Sequence, residues 1–387
     1  MNENIEVSFV MPCLNEAETL EGCIQAAQRC ITDNSLKAEV IVADNGSDDG
    51  SQEIARQAGA LVVDAPEPGY GAALMGGFDA AHGKYLIMGD SDQSYDFNEA
   101  IKMIRTLREG ADLVMGSRFK GRIMPGAMPW KHRWIGNPIL SFIGRLLFRT
   151  PISDFHCGLR GIRRQAYKNL GLRTTGMEFA SEMVVKAAVR GLTIREVPIT
   201  LHPDKRTRPP HLRSWRDGWR HLRFMMTLSP RWTLGIPGLL LLLPSALLLA
   251  RLANGPLVVG TVTLDIHTMQ IAALMVLTGF QAITIAMAAR IYAVTEEIGP
   301  AAPWMNKLFN TFTLEHGLIL GILLIIAGVL IISGPGWNWV TGGFGPLVPA
   351  VSMRPVIVGV TLFSLGVQTL AMSFLYSMLG IARRRGE

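Results

Sequence analysis

The sequence is short of charge, and the shortage lies at one end. Charged residues make up 18% of the 387, against about 25% in an ordinary soluble domain. Residues 232–387 contain only 7 of the 37 Lys/Arg and 5 of the 31 Asp/Glu, while residues 1–231 hold the rest at near-normal density. That imbalance excludes a uniform soluble globule, a disordered chain and a collagen-like fibre. Cysteine is also scarce. Cys13, Cys23, Cys30 and Cys157 form no CxxC pair and no zinc spacing, so reduced thiols are expected rather than a disulfide or zinc scaffold. No basic n-region precedes the strand-like Val7-Ser8-Phe9-Val10, so a signal peptide is not expected and the front half should stay in the cytoplasm. No GxxxxGK[ST] occurs, which excludes a P-loop. Nor does a GxGxxG turn follow the first strand, which runs into Pro12-Cys13-Leu14-Asn15-Glu16, and the glycines at 69, 71, 76 and 77 do not follow a clean strand-to-helix turn. A dinucleotide-binding reading therefore fails on position.

The charge-poor half carries long apolar runs at about 232–252, 269–292, 315–333 and 356–381. Each approaches the ~20 residues that a helix needs to cross a bilayer. Pro237 and Pro244 should kink the first, and Thr278, Gln281 and Thr284 supply interhelical hydrogen-bonding groups in the second. Basic residues crowd the approach to the first span, the loop with Arg290 and Lys307, and the tail Arg383-Arg384-Arg385, whereas the other two connections hold only Arg354. By the positive-inside rule both termini are cytoplasmic, in a multi-pass protein of the inner (cytoplasmic) membrane. Just before the spans, Trp215, Trp219, Leu222 and Met226 recur at helical spacing among Arg213, Arg216, Arg220 and Arg223. This is an amphipathic basic helix suited to an anionic lipid surface. No nucleic-acid recognition motif accompanies the basic residues.

The front half alternates strand-like segments (6–11, 39–43, 60–63, 84–89, 112–116, 194–199) with helix-like ones (17–31, 51–57, 70–81, 97–108, 178–190). That pattern implies an α/β fold with a largely parallel sheet. Ligands in such sheets sit beyond the carboxyl ends of the strands. The polar motifs fall there: Asn15-Glu16, Asp44-Asn45-Gly46-Ser47-Asp48-Asp49-Gly50 and Gly89-Asp90-Ser91-Asp92. Asp90 and Asp92, separated by one residue, repel each other unless a cation lies between them. Hard divalent ions bridge carboxylate to phosphate, so Mg²⁺ or Mn²⁺ carrying a diphosphate is one reading. A polar turn whose aspartates cap a helix is the other. Tyr70 and Trp130 are candidates for the pocket wall, and Met11, Met88 and Met115 for the core.

The segments Val10–Glu16, Ile41–Gly50, Gly69-Tyr-Gly-Ala-Ala73 and Gly89–Asp92 stand in the order and spacing of family 2 glycosyltransferases with the GT-A fold. Gly116-Ser-Arg-Phe119, Ser153-Asp-Phe-His-Cys-Gly-Leu-Arg160, Glu178-Phe-Ala-Ser-Glu182 and Glu196-Val-Pro-Ile199 resemble the polyprenyl-phosphate branch, which includes dolichyl-phosphate mannose and glucose synthases. The resemblance covers about 5–230. It implies a GT-A catalytic domain over 1–210; the residues themselves put the juxtamembrane helix over 211–231 and an all-α transmembrane domain of four helices over 232–387, where many relatives have two spans or none. It implies that Pro12, Asn15, Glu16 and Asp44 hold the base and ribose of a sugar nucleotide, with Asp90 and Ser91 also at the donor. Asp90 and Asp92 would hold the metal and diphosphate. Arg118 and Arg133 would face the acceptor phosphate, Asp154 would sit near sugar and acceptor, and Glu182 would brace that region. Lys205, Arg206 and Arg208 would close over the phosphates. The branch often places a glutamine two residues past the second aspartate; here Gln93 follows Asp92 directly and Ser94 takes that place. The third metal position then falls to Gln93 or a water.

The chemistry fits these residue types. Separating an oxocarbenium-like sugar from a diphosphate requires neutralising negative charge, which a metal with Arg and Lys can do. An already ionised lipid phosphate needs little general-base help, and single displacement inverts the anomeric centre. The expected function is transfer of a hexose to polyprenyl phosphate on the cytoplasmic face. The alternatives are a family 2 transferase with a lipid or polysaccharide acceptor, and a non-catalytic nucleotide-sensing membrane scaffold. A processive synthase would carry QxxRW before its spans, but Ser229-Pro-Arg-Trp232 lacks the glutamine. Few charges in the spans argue against transport. The assembly is open, a homo-oligomer included.

Overall fold

The computed structural model describes residues 5–207, 214–295 and 313–380. Arg208, His211, Arg213, the loop with Lys307 and the arginine tail lie outside them. The chain divides into two compact units, Met1–Leu228 and Ser229–Glu387, so the juxtamembrane helix belongs with the first.

The first unit is a seven-stranded sheet in the order β3-β2-β1-β4-β6-β5-β7. Its strands are β1 (Val7–Cys13), β2 (Ala38–Asp44), β3 (Leu61–Asp64), β4 (Tyr85–Met88), β5 (Leu113–Ile123), β6 (Arg160–Arg163) and β7 (Ile194–Leu201). All pairings are parallel except those of β6, which runs antiparallel to both neighbours. The period-2 alternation of side chains splits β1 between two cores. Phe9, Met11 and Cys13 join the cluster under α1 (Leu20–Asp33) and α4 (Ala100–Arg108). Val10 joins the cluster under α3 (Tyr70–Ala80) and α7 (Phe179–Val189). Met11, Met88 and Met115 are buried as expected. All four cysteines are free and buried.

The strand order reverses at β1: β2 and β3 lie on one side, β4 on the other. A crevice at the carboxyl ends of β1 and β4 follows from that switch. Pro12 to Glu16 leave β1 there, and Asp90 to Asp92 leave β4.

The short strand β6 was not expected, because Arg-Gly-Ile-Arg shows no apolar alternation. Its Arg160 is fully buried and donates to the carbonyls of Cys157 (2.7 Å), Ala180 (2.5 Å) and Phe155 (2.9 Å). Two helices were also missed, α5 (Asn137–Phe148) and α6 (Arg164–Leu170), while α2 (Ser51–Gln57) falls where expected. Helix α8 (Ser214–Thr227) packs against α5 and α7 through Met225, His221 and Asp217.

The second unit holds four helices long and apolar enough to cross a membrane, Arg231–Ala253, Ile266–Thr295, Leu314–Thr341 and Val351–Gly380. The third continues past the expected end at 333, because a spanning helix tolerates Pro335 within it. The first pair approaches closely at Gly238 and Gly279, where an added Cβ would meet the opposing carbonyl at 2.9 and 2.7 Å. Thr284 was expected to bond between helices through its hydroxyl. Instead that hydroxyl donates to Gln281 O in its own helix, and the Thr284 carbonyl accepts from Tyr376 Oη (2.8 Å). Arg354 pairs with Asp265.

Arg160→Met should lower the thermal stability of the full chain in detergent by about 3 kcal/mol, since three buried carbonyls lose their donor. An unfolding curve unchanged from the parent would refute this.

Candidate active site

A cavity of about 690 Å³ opens at the carboxyl ends of β1, β2, β4 and β5. Pro12, Glu16, Asp90, Ser91 and Asp92 lie on its wall. The turn after β4 is clamped from both sides: Ser91 Oγ donates to Pro12 O (2.7 Å), and Thr19 Oγ1 donates to Ser91 O (2.7 Å). Asp90 accepts from Tyr70 Oη (2.9 Å). Gly158 leaves room for it, since a Cβ there would run into the Asp90 carboxylate. Burial and the neighbouring Asp92 charge raise Asp90 from 3.8 to about 6. Asp92 Oδ1 accepts from Ser94 Oγ (2.5 Å) and Ser94 N (3.0 Å).

The positive charge that this corner needs comes from Arg206. Its guanidinium reaches Asp92 (2.8 Å), Asp204 (3.1 Å) and Glu16 (3.3 Å). Burial works against its charge, but Asp92 and Glu16 outweigh burial and hold its pKa above the usual value. Among the described residues no group of three or more His, Cys, Asp or Glu could hold a metal. Two carboxylates with hard oxygen donors, and a site that draws a cation, fit an ion bound partly by protein and partly by phosphate.

The structure keeps several expected residues off the cavity wall. Asp44 is buried, and its Oδ2 accepts from Gly46 N, Ser47 N and Gln52 Nε2. Burial opposes its charge, yet these bonds keep its pKa below the usual value. Its Oδ1 has no protein partner. Asn15, at φ 58°, accepts from Asp48 N (2.9 Å), so its amide shapes the loop rather than facing the cavity. Gln93 is turned away: its amide donates to Thr19 O (3.0 Å) and packs on Gly22. In this arrangement it completes no ligand set with Asp90 and Asp92; Ser94 occupies the wall instead.

Arg118 reaches the wall, but its guanidinium forms a two-point pair with Asp154, Nε–Oδ2 and Nη2–Oδ1 both at 2.7 Å. Asp154 is fully buried and off the wall, and Glu196 accepts from its backbone and that of Ser153. Asp154 holds Arg118 in place and does not itself line the cavity. Arg133 lies outside the cavity over the Trp134 ring (5.4 Å); its neighbour His132 lines it. Lys205 donates its backbone N–H to Asp92 O and is not part of the cavity wall. Arg208 is outside the described residues. Trp130 is on the surface.

Sequence reasoning placed none of Asn45, Ser94, Tyr95, Arg216 and Arg220 as a ligand-binding residue, yet all are on the wall. Asn45 ties the end of β2 to the loop before α3, donating to Ala65 O and Glu67 O and accepting from Gly69 N, each at 2.7 Å. Its place in the Asp44–Gly50 motif was the available signal. Arg216 and Arg220 were read only as a lipid-facing stripe. Glu182 ties down the segment before α7: it accepts from Arg173 N, Thr174 N and Thr174 Oγ1 and pairs with Lys186 (2.7 Å). The next carbonyl, Thr175 O, accepts from Gly71 N and Ala72 N at the start of α3.

Residues 8–171 match the Glycosyl transferase family 2, and residues 287–380 match the Glycosyltransferase family 2 C-terminal transmembrane region. The Haloferax volcanii low-salt glycan biosynthesis hexosyltransferase Agl6 is 36% identical over 375 residues, covering 97% of this chain and 89% of that one. The chain is a family 2 glycosyltransferase. A dolichyl-phosphate hexose transferase of H. volcanii is 32% identical over 197 residues, 50% of this chain and 82% of that protein. Among solved structures, glucosyl-3-phosphoglycerate synthase from Mycobacterium tuberculosis, in complex with Mn²⁺, UDP and glucosyl-3-phosphoglycerate, is similar at 21% identity. Its TM-score is 0.44, with 57% of this chain and 77% of that chain covered. This family 2 glycosyltransferase thus joins a GT-A-like, mostly parallel sheet domain to four apolar helices in a membrane protein.

Because the pKa of Asp90 is raised, its ionised form costs stability. The cost is absent below 3.8, grows as pH rises and is complete above about 6. In metal-free, donor-free glycosyltransferase, Asp90→Asn should therefore raise stability above pH 6 by about 1–3 kcal/mol. The gain should vanish in acid; thermal melts across pH will show whether it does. Asp154→Ala should cost about 3 kcal/mol by stranding the buried Arg118 charge, measured by the same melts.

Proposed function

We propose that this glycosyltransferase moves one hexose from a nucleoside diphosphate sugar to polyprenyl phosphate on the cytoplasmic face of the membrane, using Mg²⁺ or Mn²⁺. The observation that carries the reading is the Asp90–Asp92 pair on one wall of a cavity whose other walls bring Arg206, Arg216 and Arg220. Two anions, a donor diphosphate and an acceptor phosphate, are what such a cavity would hold close together. The names of relatives that act in glycan biosynthesis or on dolichyl phosphate point the same way.

Asp90 and Asp92 would hold the divalent ion, which when bound supplies charge neutralisation for the departing diphosphate. Pro12, Glu16 and Asn45, with the loop that Asp44 organises, would frame the nucleoside. Arg206 would leave its carboxylate partners to meet phosphate once another cation takes its place. An acceptor phosphate oxygen then bonds to the anomeric carbon as the bond to the nucleoside diphosphate breaks. No proton needs removing, since the attacking oxygen is already ionised, so the cavity's task is positioning and charge. The outcome is inversion. Arg118, fixed by Asp154, would present a pre-set positive charge midway along β5, where its pairing with β7 shifts register, without having to reorganise.

Purified full chain, labelled sugar nucleotide, Mg²⁺ or Mn²⁺ and polyprenyl phosphate should give an acid-labile charged glycolipid. Asp92→Ala should abolish it while leaving membrane insertion intact. Full turnover by that variant would remove the metal assignment. A sugar product formed only on uncharged acceptors would remove the lipid phosphate.

A further inference from the structure

Between β5 and α5 the chain makes one π-helical turn over His132–Gly136, closed by Asn137 N–H donating to His132 O. Such turns are rare and collect at functional sites. This one has a definite effect on direction. In an α-helix, residues five apart point about 140° away from each other. A bond from i+5 back to i closes the turn over five residues instead, which brings His132 and Asn137 to one side. Both line the cavity. The residues between them take the other side, where Trp134 (70% exposed) and Ile135 (46%) face outward. The turn is anchored at both ends. His132 N and Arg133 N donate to Pro129 O (3.0 Å each). Asn137 begins α5, which is pinned against Phe155: Ser141 Oγ accepts from Phe155 N (3.2 Å), and a Cβ at Gly144 would lie 2.6 Å from the ring.

These two side chains differ from the rest of the wall in what they can bond. An arginine only donates, and an ionised carboxylate only accepts. Most other neutral polar groups on the wall are engaged: Asn45 by three backbone partners, Tyr70 by Asp90, Ser91 by Pro12 O and Ser94 by Asp92. Asn137 Nδ2 donates to Met128 Sδ (3.7 Å), a weak acceptor. Burial, with the Arg118 charge adding, lowers the His132 pKa, so at neutral pH the imidazole is uncharged and carries one donor and one acceptor. Imidazole and carboxamide thus each donate and accept, as a hydroxyl group does. A phosphate oxygen only accepts, and would leave the Asn137 carbonyl and the imidazole lone pair without a donor.

Sheet order supplies the position. Across the sheet the cavity runs from the loops after β2 and β1, to the carboxylate pair after β4, to β5 and the segment that follows it. A sugar nucleotide with its diphosphate at Asp90 and Asp92 and its nucleoside over the first loops extends its sugar toward β5. That placement is the donor reading given above, on which the inference rests.

We propose that His132 and Asn137, aligned by the π turn, bond hydroxyls of the transferred sugar and set which donor the enzyme accepts. The nature of the lipid acceptor plays no part in this.

The test is titration calorimetry with Mn²⁺ on the purified full chain in detergent. UDP and GDP are the sugar-free ligands. UDP-glucose with UDP-galactose, and GDP-glucose with GDP-mannose, are pairs that differ at a single hydroxyl. Asn137→Leu and His132→Phe should each weaken the preferred sugar nucleotide several-fold to about tenfold, the size of one hydrogen bond, and narrow its lead over the epimer. Binding of UDP or GDP should stay at the parent value. An equal loss for UDP or GDP would overturn the proposal, because the side chains would then act on the diphosphate or on the fold. So would an unchanged ranking of the epimers; loss of transfer to polyprenyl phosphate with that ranking intact would give the pair to the acceptor instead. Failure of the donor placement shows elsewhere: Asp92→Ala would then bind UDP or GDP with Mn²⁺ as tightly as the parent.

Discussion

The site depends on the mutual repulsion of two carboxylates held at the end of one strand. Asp90 and Asp92 leave β4 at the switch point of the sheet, where backbone and side-chain bonds clamp the turn. Neither can move away, and burial sharpens the conflict enough to raise Asp90 to about 6. Much of the surrounding architecture manages that conflict. Glu182 organises residues 173 and 174, the following carbonyl catches the start of α3, and α3 presents Tyr70, whose hydroxyl fixes Asp90. Burial and the Asp90 charge push the Tyr70 hydroxyl well above its ordinary pKa, so it stays a donor. A Glu-braced scaffold thereby keeps open a demand for positive charge.

That demand is answered by cations of two kinds. Arg118 and Arg160 are locked, the first by the two-point pair with Asp154 and the second by three carbonyls. They set a fixed background potential and cost nothing to reorganise when substrates arrive. Arg206 differs because its partners, Asp92 and Glu16, lie on the cavity wall, and Asp92 is one of the two carboxylates that would hold a metal. An arginine in that place shields the pair when no other cation is there, and its long side chain can turn to a phosphate afterwards. Arg216 and Arg220 retain substantial solvent exposure and stand on the wall beside it. Fixed and movable cations are thus divided between the sheet and the segments that follow β7.

Sequence spacing revealed the parts whose positions are dictated by local periodicity. The apolar runs of β1 and β2 with polar residues directly after them located the carboxyl-end crevice, and the long uncharged stretches located the spans. It did not reveal which carboxylates pair off. The pairing of Asp154 with Arg118, 36 residues away, is a tertiary fact that no local pattern carries. Gln93 looked like a ligand by proximity to Asp92, but its positive φ of 61° swings the side chain onto α1. Strand β6 was hidden because its buried residue is an arginine, satisfied by carbonyls that no local pattern announces. Helix α5 was hidden for the opposite reason: its apolar residues face both inward and outward, which blurs the one-sided periodicity of a core helix.

That two-sidedness links the cavity to its surroundings. Along 128–137, Met128, Pro129, His132 and Asn137 line the cavity while Trp130 and Trp134 face outward. In α8, Arg216 and Arg220 line the cavity while Trp215 and Trp219 face outward. A helical turn cannot move one set without the other, since about 100° separates successive side chains on the same rigid rod. Whatever holds the tryptophans in place therefore also sets where His132, Asn137, Arg216 and Arg220 stand relative to Asp90 and Asp92. The two segments are themselves coupled, because α5 begins at Asn137 and packs on α8. On the proposed readings, sugar choice and phosphate positioning are then one mechanical adjustment: a shift of either segment moves together the groups that meet the hydroxyls and the groups that meet the phosphate.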